Sequence, residues 1–370
     1  MNRFSPLARL MPKSPTRHEP APQDLDALLP DLRLPLDAGS LPDATRRLVA
    51  ACPSPPLPGA GHTLARWQFL AALAGRDLSL AKIYEAHADA LAIQAELCPR
   101  ARTASDAPLD ATAAAITTTG DEAIWAVWAA RSPRNEVRFA ARAGNDVTLS
   151  GTKAWCSGAP FVTHALVTCV DADGGDWLAA LPMDQPGVTV SARGWEAVGM
   201  EATQSVEVDL ADARATLIGE CGAYVQRDGF WHGGAGIAAC WHGAAAALAA
   251  RLRDTAQRRD DAHLRAHLGA ADAALAASRA LLRESARAID AAPHAHAALL
   301  AMRTRAAVES AVDITVRACA RGLGAAPLCR DRWFARMAAD LPVFVRQSHA
   351  EADLAALAAA VVSANEDWRL

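Results

Sequence analysis

The densest run of chemically useful side chains is Lys153-Ala154-Trp155-Cys156-Ser157-Gly158, preceded by Leu149-Ser150-Gly151-Thr152. On a strand, positions 155 and 157 point to the same face, so an indole and a hydroxyl stand side by side there. An isolated Trp-x-Ser usually means a tryptophan filling a barrel core, and the surrounding residues have to decide. Other groups of interest are Ile124-Trp125-Ala126-Val127-Trp128-Ala129, the run Arg259-Asp260-Asp261, and His349 and Glu351 near the end of the chain. The eight cysteines (Cys52, Cys98, Cys156, Cys169, Cys221, Cys240, Cys319 and Cys329) are dispersed, with no Cys-x-x-Cys pair and no histidine at ligand spacing. They read as reduced, mostly buried thiols, and no metal is expected.

The elements that must position these residues change character along the chain. Prolines cluster before residue 60 and end in Gly59-Ala60-Gly61, a loose lead-in with one or two short helices. From Leu64 to Leu97 apolar residues recur at helical spacing with one break near Gly75-Arg76-Asp77, which predicts two packed helices. Between Ile116 and Thr216, short alternating runs predict strands at 137–141, 147–149, 153–157, 165–170, 177–182, 188–192 and 205–210. Gly144-Asn145-Asp146 and Ser150-Gly151-Thr152 are the expected hairpin turns. From Gly229 onward Ala, Leu and Arg predict long helices at about 230–258, 264–291 and 296–322, then one at 331–339 and another from Pro342. The expected fold class is α+β, mainly α: an N-terminal helical domain (1–115), a middle antiparallel β-barrel or sandwich (116–220) and a C-terminal four-helix bundle (221–370).

With 370 residues and 52% apolar content, the chain can bury a sizeable core, and two or three domains are expected. A net charge of -4 without a basic block excludes a nucleic-acid partner. Residues 1–30 resemble neither a signal peptide nor an anchor, and no apolar run reaches spanning length. A cytoplasmic protein without a membrane partner is the expectation.

The segment Leu149 to Gly158 resembles the acyl-CoA dehydrogenase family's hairpin of the form apolar-x-G-x-K-x-(W/F)-(I/C)-(T/S)-x-G. Gly199-Met200-Glu201-Ala202-Thr203-Gln204-Ser205 is similar to the family's G-M-x-x-(T/S)-x-S segment. Asp77 to Ala81 and His87 resemble its N-terminal helices. The resemblance implies the same domain order and a bound FAD, with Trp155 along the isoalloxazine ring and Cys156 and Ser157 beside it. Ser157 then hydrogen-bonds near N5. Val127 and Trp128 occupy the segment whose backbone meets the pyrimidine edge, although Trp128 replaces a common Thr and the following Gly-Ser-Asp loop is missing. Arg259 stands where the family's arginine reaches the pyrophosphate across a dimer interface, with Arg258 and Arg265 as substitutes. The run after Arg321, with Gly324, resembles a reduced Gly-Gly-x-Gly turn that approaches the dinucleotide.

Acyl-CoA dehydrogenation needs a carboxylate to remove the α proton. Counting from Gly324 puts Val345 at the family's usual glutamate position and Phe344 in place of its tyrosine, while the other family location falls near Gly233. Asp340, His349, Glu351 and His232 are the remaining candidates, so no catalytic residue is assigned. The first expectation is a FAD-dependent oxidoreductase of acyl-CoA dehydrogenase type acting on an acyl thioester. It would be a homodimer or homotetramer, with a possible electron-transfer partner. The alternatives are a reduced-flavin monooxygenase of the same fold, which needs no α-proton base, and a non-catalytic partner subunit.

Overall fold

The computed structural model describes residues 25–29, 31–53, 55–98, 123–132, 135–365 and 367–369. The lead-in before residue 25 and the expected start of the β region at 116 lie outside the described residues. Among the described residues four helices come first: α1 (Leu25–Leu28), α2 (Leu41–Ala51), α3 (Thr63–Ala74) and α4 (Leu78–Leu97). The predicted break between the last two is real, and Asp77 makes it. Its side chain caps α4 by accepting from Leu80 N at 2.9 Å and holds the preceding loop by accepting from Leu36 N at 2.9 Å. Helix α4 is apolar on most of its surface because it is enclosed by helices on one side and by the sheet on the other.

The described residues then hold seven strands: β1 (Trp125–Trp128), β2 (Val137–Ala143), β3 (Asp146–Cys156), β4 (His164–Val170), β5 (Asp176–Pro182), β6 (Val188–Val190) and β7 (Val206–Ile218). Strands β2, β3, β7, β5 and β4 pair in that order, and β4 returns to β2, which closes a small barrel. Most pairings are antiparallel as expected, but β1 and β2 both run parallel to β4 along one of its edges. Strand β1 was not evident from alternation, because a strand buried on both faces shows none. Gly144 and Asn145 form the predicted turn between β2 and β3. The second predicted turn, Ser150-Gly151-Thr152, is corrected: it runs through the middle of β3. Gly151 sits at φ +127°, where a Cβ would lie 2.1 Å from the Glu136 carbonyl, so the glycine permits a bulge rather than a reversal.

The C-terminal part begins with a short α5 (Ala223–Gln226) and three long helices, α6 (Gly229–Arg258), α7 (Ala262–Ala291) and α8 (Ala298–Leu323). They pack against one another, and Gly243 of α6 lets it cross α3 closely, since a Cβ there would lie 2.0 Å from the Ala71 carbonyl. Then come α9 (Ala325–Arg330), α10 (Arg332–Phe344) and α11 (Glu351–Ala364). Pro342 does not start a helix, as the sequence pattern suggested, but lies inside α10 near its end. The helix continues because its buried face, Phe334, Met337, Leu341 and Phe344, keeps the 3.6-residue period through the proline. Among the described residues no helix is long and apolar enough to cross a membrane, and no side-chain cluster suits a metal ion.

Candidate functional site

Strand β3 does not reach the site as a regular strand. Trp155 adopts φ +57°, and the pairing with β7 shifts register between Lys153 and Cys156. A left-handed conformation is uncommon for a bulky residue and marks a constrained position. The indole is held outward, 47% exposed, while Ala154 and Cys156 on either side are buried. The Cys156 thiol turns inward and donates to the Lys153 carbonyl at 3.2 Å, leaving only its backbone toward the outer face. Lys153 is itself buried and donates to the Thr168 hydroxyl at 2.7 Å, stapling β3 to β4. Burial pushes its ammonium down to about 8.

Ser157 lies just beyond β3 in a turn and is half-buried. Trp128 at the end of β1 donates its indole N–H to the Ser157 carbonyl at 3.1 Å. The residue that replaces the family's Thr therefore anchors the turn carrying Ser157. At the other end of β1, Trp125 N donates to His87 Nδ1 at 3.2 Å. Burial holds the His87 imidazole down to about 4, so it is neutral near pH 7. With Nδ1 accepting, the proton sits on Nε2, and that buried N–H has no partner among the described residues.

On the second side of Ser157 lies the segment Gly199 to Ser205. Gly199 packs against the backbone of α10, where a Cβ would meet the Ala339 carbonyl at 2.2 Å. Met200, at φ +60°, donates its N–H to Asp340 at 2.6 Å. Asp340 is 1% exposed, and burial raises its carboxyl to about 6. The Thr203 hydroxyl donates to the Met200 carbonyl at 2.7 Å and lies 2.8 Å from the Ser205 hydroxyl, which is 2.7 Å from that of Ser157. Gly158 N donates to the Thr203 carbonyl at 2.8 Å. The two motif segments and α10 are thus one connected network. The sequence marked Thr203 and Ser205 as motif positions but not their contact with the first motif, because Ser157 meets Ser205 from 48 positions away.

The bundle candidates do not join this network. Arg259 caps α6 and pairs with Asp261 at 3.1 Å, while Arg265 pairs with Asp260 at 2.6 Å. Gly324, at φ +67°, links α8 to α9 in open surroundings. Val345 is a buried apolar residue in a 3-10 turn at Val345–Gln347. Gly233 of α6 packs on Asp89, where a Cβ would lie 2.9 Å from the carboxylate. His349 is exposed and lies 3.3 Å from Asp353, Glu351 is exposed on the first turn of α11, and His232 is buried with its proton affinity lowered by desolvation.

A family model described as acyl-CoA dehydrogenase, middle domain, matches residues 129–213, which holds both motif segments. The chain has the acyl-CoA dehydrogenase fold. In that fold it is similar to KijD3 in complex with FMN and a dTDP-linked amino-keto sugar, at 19% identity and TM-score 0.73, over 93% of this chain and 89% of that one. It is similar to butyryl-CoA dehydrogenase from Megasphaera elsdenii at 14% identity and TM-score 0.71, over 86% and 90% of the two chains. Dibenzothiophene monooxygenase from Paenibacillus sp. A11-2 aligns at 18% identity and TM-score 0.68, over 87% and 89%. No curated protein sequence matches the chain. The chain is a divergent example of the acyl-CoA dehydrogenase fold, whose enzymes are flavin-dependent oxidoreductases.

Proposed function

We infer that this acyl-CoA dehydrogenase-fold protein is a flavin-dependent monooxygenase that works with reduced flavin. The observation that carries this reading is the pair Val345 and Gly233, neither of which offers the carboxylate that removal of an α proton requires. Asp340, the acidic alternative offered by the sequence, is buried and accepts from Met200 N beneath the site. A reduced flavin, when bound, supplies the two electrons with which dioxygen delivers one oxygen atom to a substrate and the other to water, and no α-proton base is involved.

The residues present fit the ring of such a cofactor. Trp155 offers an exposed aromatic surface, and Ser157, two residues on, offers a half-buried hydroxyl. Trp128 fixes the Ser157 peptide, and the closed barrel behind it excludes water from that side. The pyrophosphate of FAD fits less well, because Arg259 and Arg265 already carry the carboxylates of Asp261 and Asp260. We therefore favour FMN over FAD. The likeness to a structure holding FMN and to a monooxygenase supports the same reading.

The test is to mix the protein with reduced FMN anaerobically, admit labelled dioxygen and screen thiophene, sulfinate and amino-sugar substrates for incorporated label. Label in a product is the expected result. Failure to take up any flavin, or anaerobic bleaching of bound oxidised flavin by an acyl-CoA, would overturn the proposal.

A further inference from the structure

Helix α4 breaks its apolar character along one line. Lys82, Glu85, Asp89 and Glu96, spaced i, i+3, i+7 and i+14, share a face of the helix. Opposite them α6 carries Gly229, Gly233 and Gly236, spaced i, i+4 and i+7. A Cβ at Gly229 would run into the Glu96 carboxylate, one at Gly233 would lie 2.9 Å from Asp89 Oδ1, and one at Gly236 3.0 Å from the Trp67 indole nitrogen. The glycines thus leave room for polar groups in a seam between two packed helices. The side chains of Lys82 and Glu85 are each 14% exposed and that of Asp89 16%, so their charges are costly unless well paired. The pairing is poor. Lys82 reaches Glu85 only at 3.5 Å, and Arg227 reaches Asp89 only at 3.7 Å. Arg227 is committed to Glu96 at 3.0 Å, and Arg66 donates to the Pro56 carbonyl at 2.9 Å. Asp89 Oδ1 has no hydrogen-bond partner among the described residues. Neither has the indole N–H of Trp67, a residue 2% exposed that points at Gly236.

Glu85 and Asp89 are therefore two carboxylates one helical turn apart with no good donor between them. Burial raises the proton affinity of Glu85; Lys82 opposes this and the Asp89 charge adds to it. Burial, then the charges of Asp89 and Glu85, hold the Tyr224 phenol above its ordinary value, so Tyr224 stands in the field of the same pair. The seam adjoins the Ser157 turn, because the Ile83 side chain of α4 lies 3.0 Å from where a Cβ of Gly158 would stand. We propose that this seam between α4 and α6 is the substrate subsite and takes a cationic aliphatic amine, whose N–H groups bridge the Glu85 and Asp89 carboxylates. An ammonium brings three donors and a positive charge to two groups short of both, and it favours the charged form of Glu85. The Trp67 N–H is left to meet an acceptor on the body of the ligand. A hydroxyl brings one donor and no charge. A sulfinate or carboxylate meets like charge, and a thiophene leaves both carboxylates desolvated and unpaired. This inference rests on the monooxygenase reading above and names the class of its substrate.

The experiment is anaerobic calorimetric titration of the full chain near neutral pH, with reduced FMN and without flavin. The matched probes are cyclohexylamine, cyclohexanol and cyclohexanecarboxylate. The expected result is cyclohexylamine bound about tenfold or more tightly than either of the others. Glu85→Gln and Asp89→Asn keep the shape of the side chain and remove its charge. Each is expected to lower the amine affinity about tenfold while moving that of the alcohol by less than about threefold. Unchanged FMN uptake shows that these variants are folded. Glu85→Asp keeps a carboxylate and should keep the preference, so a charged variant remains if an amide variant misfolds. Asp272→Asn, exposed on α7, should leave the affinity ratio as it is in the parent. Failure to take up FMN would overturn the monooxygenase reading, and the flavin-free titration then decides the amine site by itself. With FMN taken up, absence of amine binding, equal binding of the three probes, a preference for the alcohol or the carboxylate, or an amine preference unmoved in both Glu85→Gln and Asp89→Asn would leave the flavin reading standing and overturn the amine subsite.

Discussion

The two regions that the resemblance linked to one cofactor differ in how they hold their polar groups. At the barrel end, Trp128, Ser157, Ser205, Thr203 and Asp340 form a connected network with buried members, anchored in β1, β3 and α10. At the bundle end, Arg259 and Arg265 lie on the surface and are paired with the acidic residues beside them in sequence. Buried hydrogen bonds depend on every member and have one workable arrangement, whereas exposed ion pairs are weak and interchangeable. The difference teaches that the barrel end is a built polar site, which the proposed function gives to a flavin ring, while the bundle end has no such site for a second phosphate.

The comparison breaks most readily at Trp128. Truncation to Ala removes a side chain 3% exposed at the junction of β1 and the Ser157 turn, and is expected to cost about 3–5 kcal/mol in denaturant unfolding. Retained stability would mean that the junction is not the anchor described. Asp340→Asn acts in the opposite direction. A carboxyl raised from 3.8 to about 6 by burial contributes stability that is full below 3.8 and is lost as pH rises through about 6. The amide keeps an acceptor for Met200 N without the charge. It should therefore gain up to about 3 kcal/mol at pH 7 and flatten the stability profile between pH 4 and 6. A loss of stability at pH 7 would show that the charge is needed.

Gly199→Ala forces the Ala339 backbone to move and is expected to cost about 1–3 kcal/mol, with weaker flavin uptake because the Met200 end of the network shifts with it. Arg259→Ala should change least. The expected outcome is a Tm within about a degree of the parent and an FMN affinity within about twofold, because the side chain is 59% exposed and its partner is local. A tenfold loss of FAD binding in that variant would restore the pyrophosphate role and remove the contrast between the two ends.

Much of the fold was legible because it rests on local patterns. The break at Asp77, the Gly144-Asn145 turn and the long bundle helices follow from capping, turn chemistry and period. The reading failed where tertiary packing overrode local signals. Gly151 looks like a turn but marks a bulge forced by the Glu136 carbonyl, and β1 carries no alternation because both of its faces are covered.

For the site, the sequence by itself determined which side chains stand at the end of β3, and that neither Val345 nor Gly233 can act as a base. Residue identity and motif spacing are properties of the chain alone. Only the tertiary structure decided that Trp155 is held outward by a left-handed backbone, that Trp128 serves the Ser157 turn, and that the Thr203 and Ser205 hydroxyls join that of Ser157. A buried hydroxyl needs partners, and those of Ser157 are brought to it by folding rather than by sequence neighbourhood.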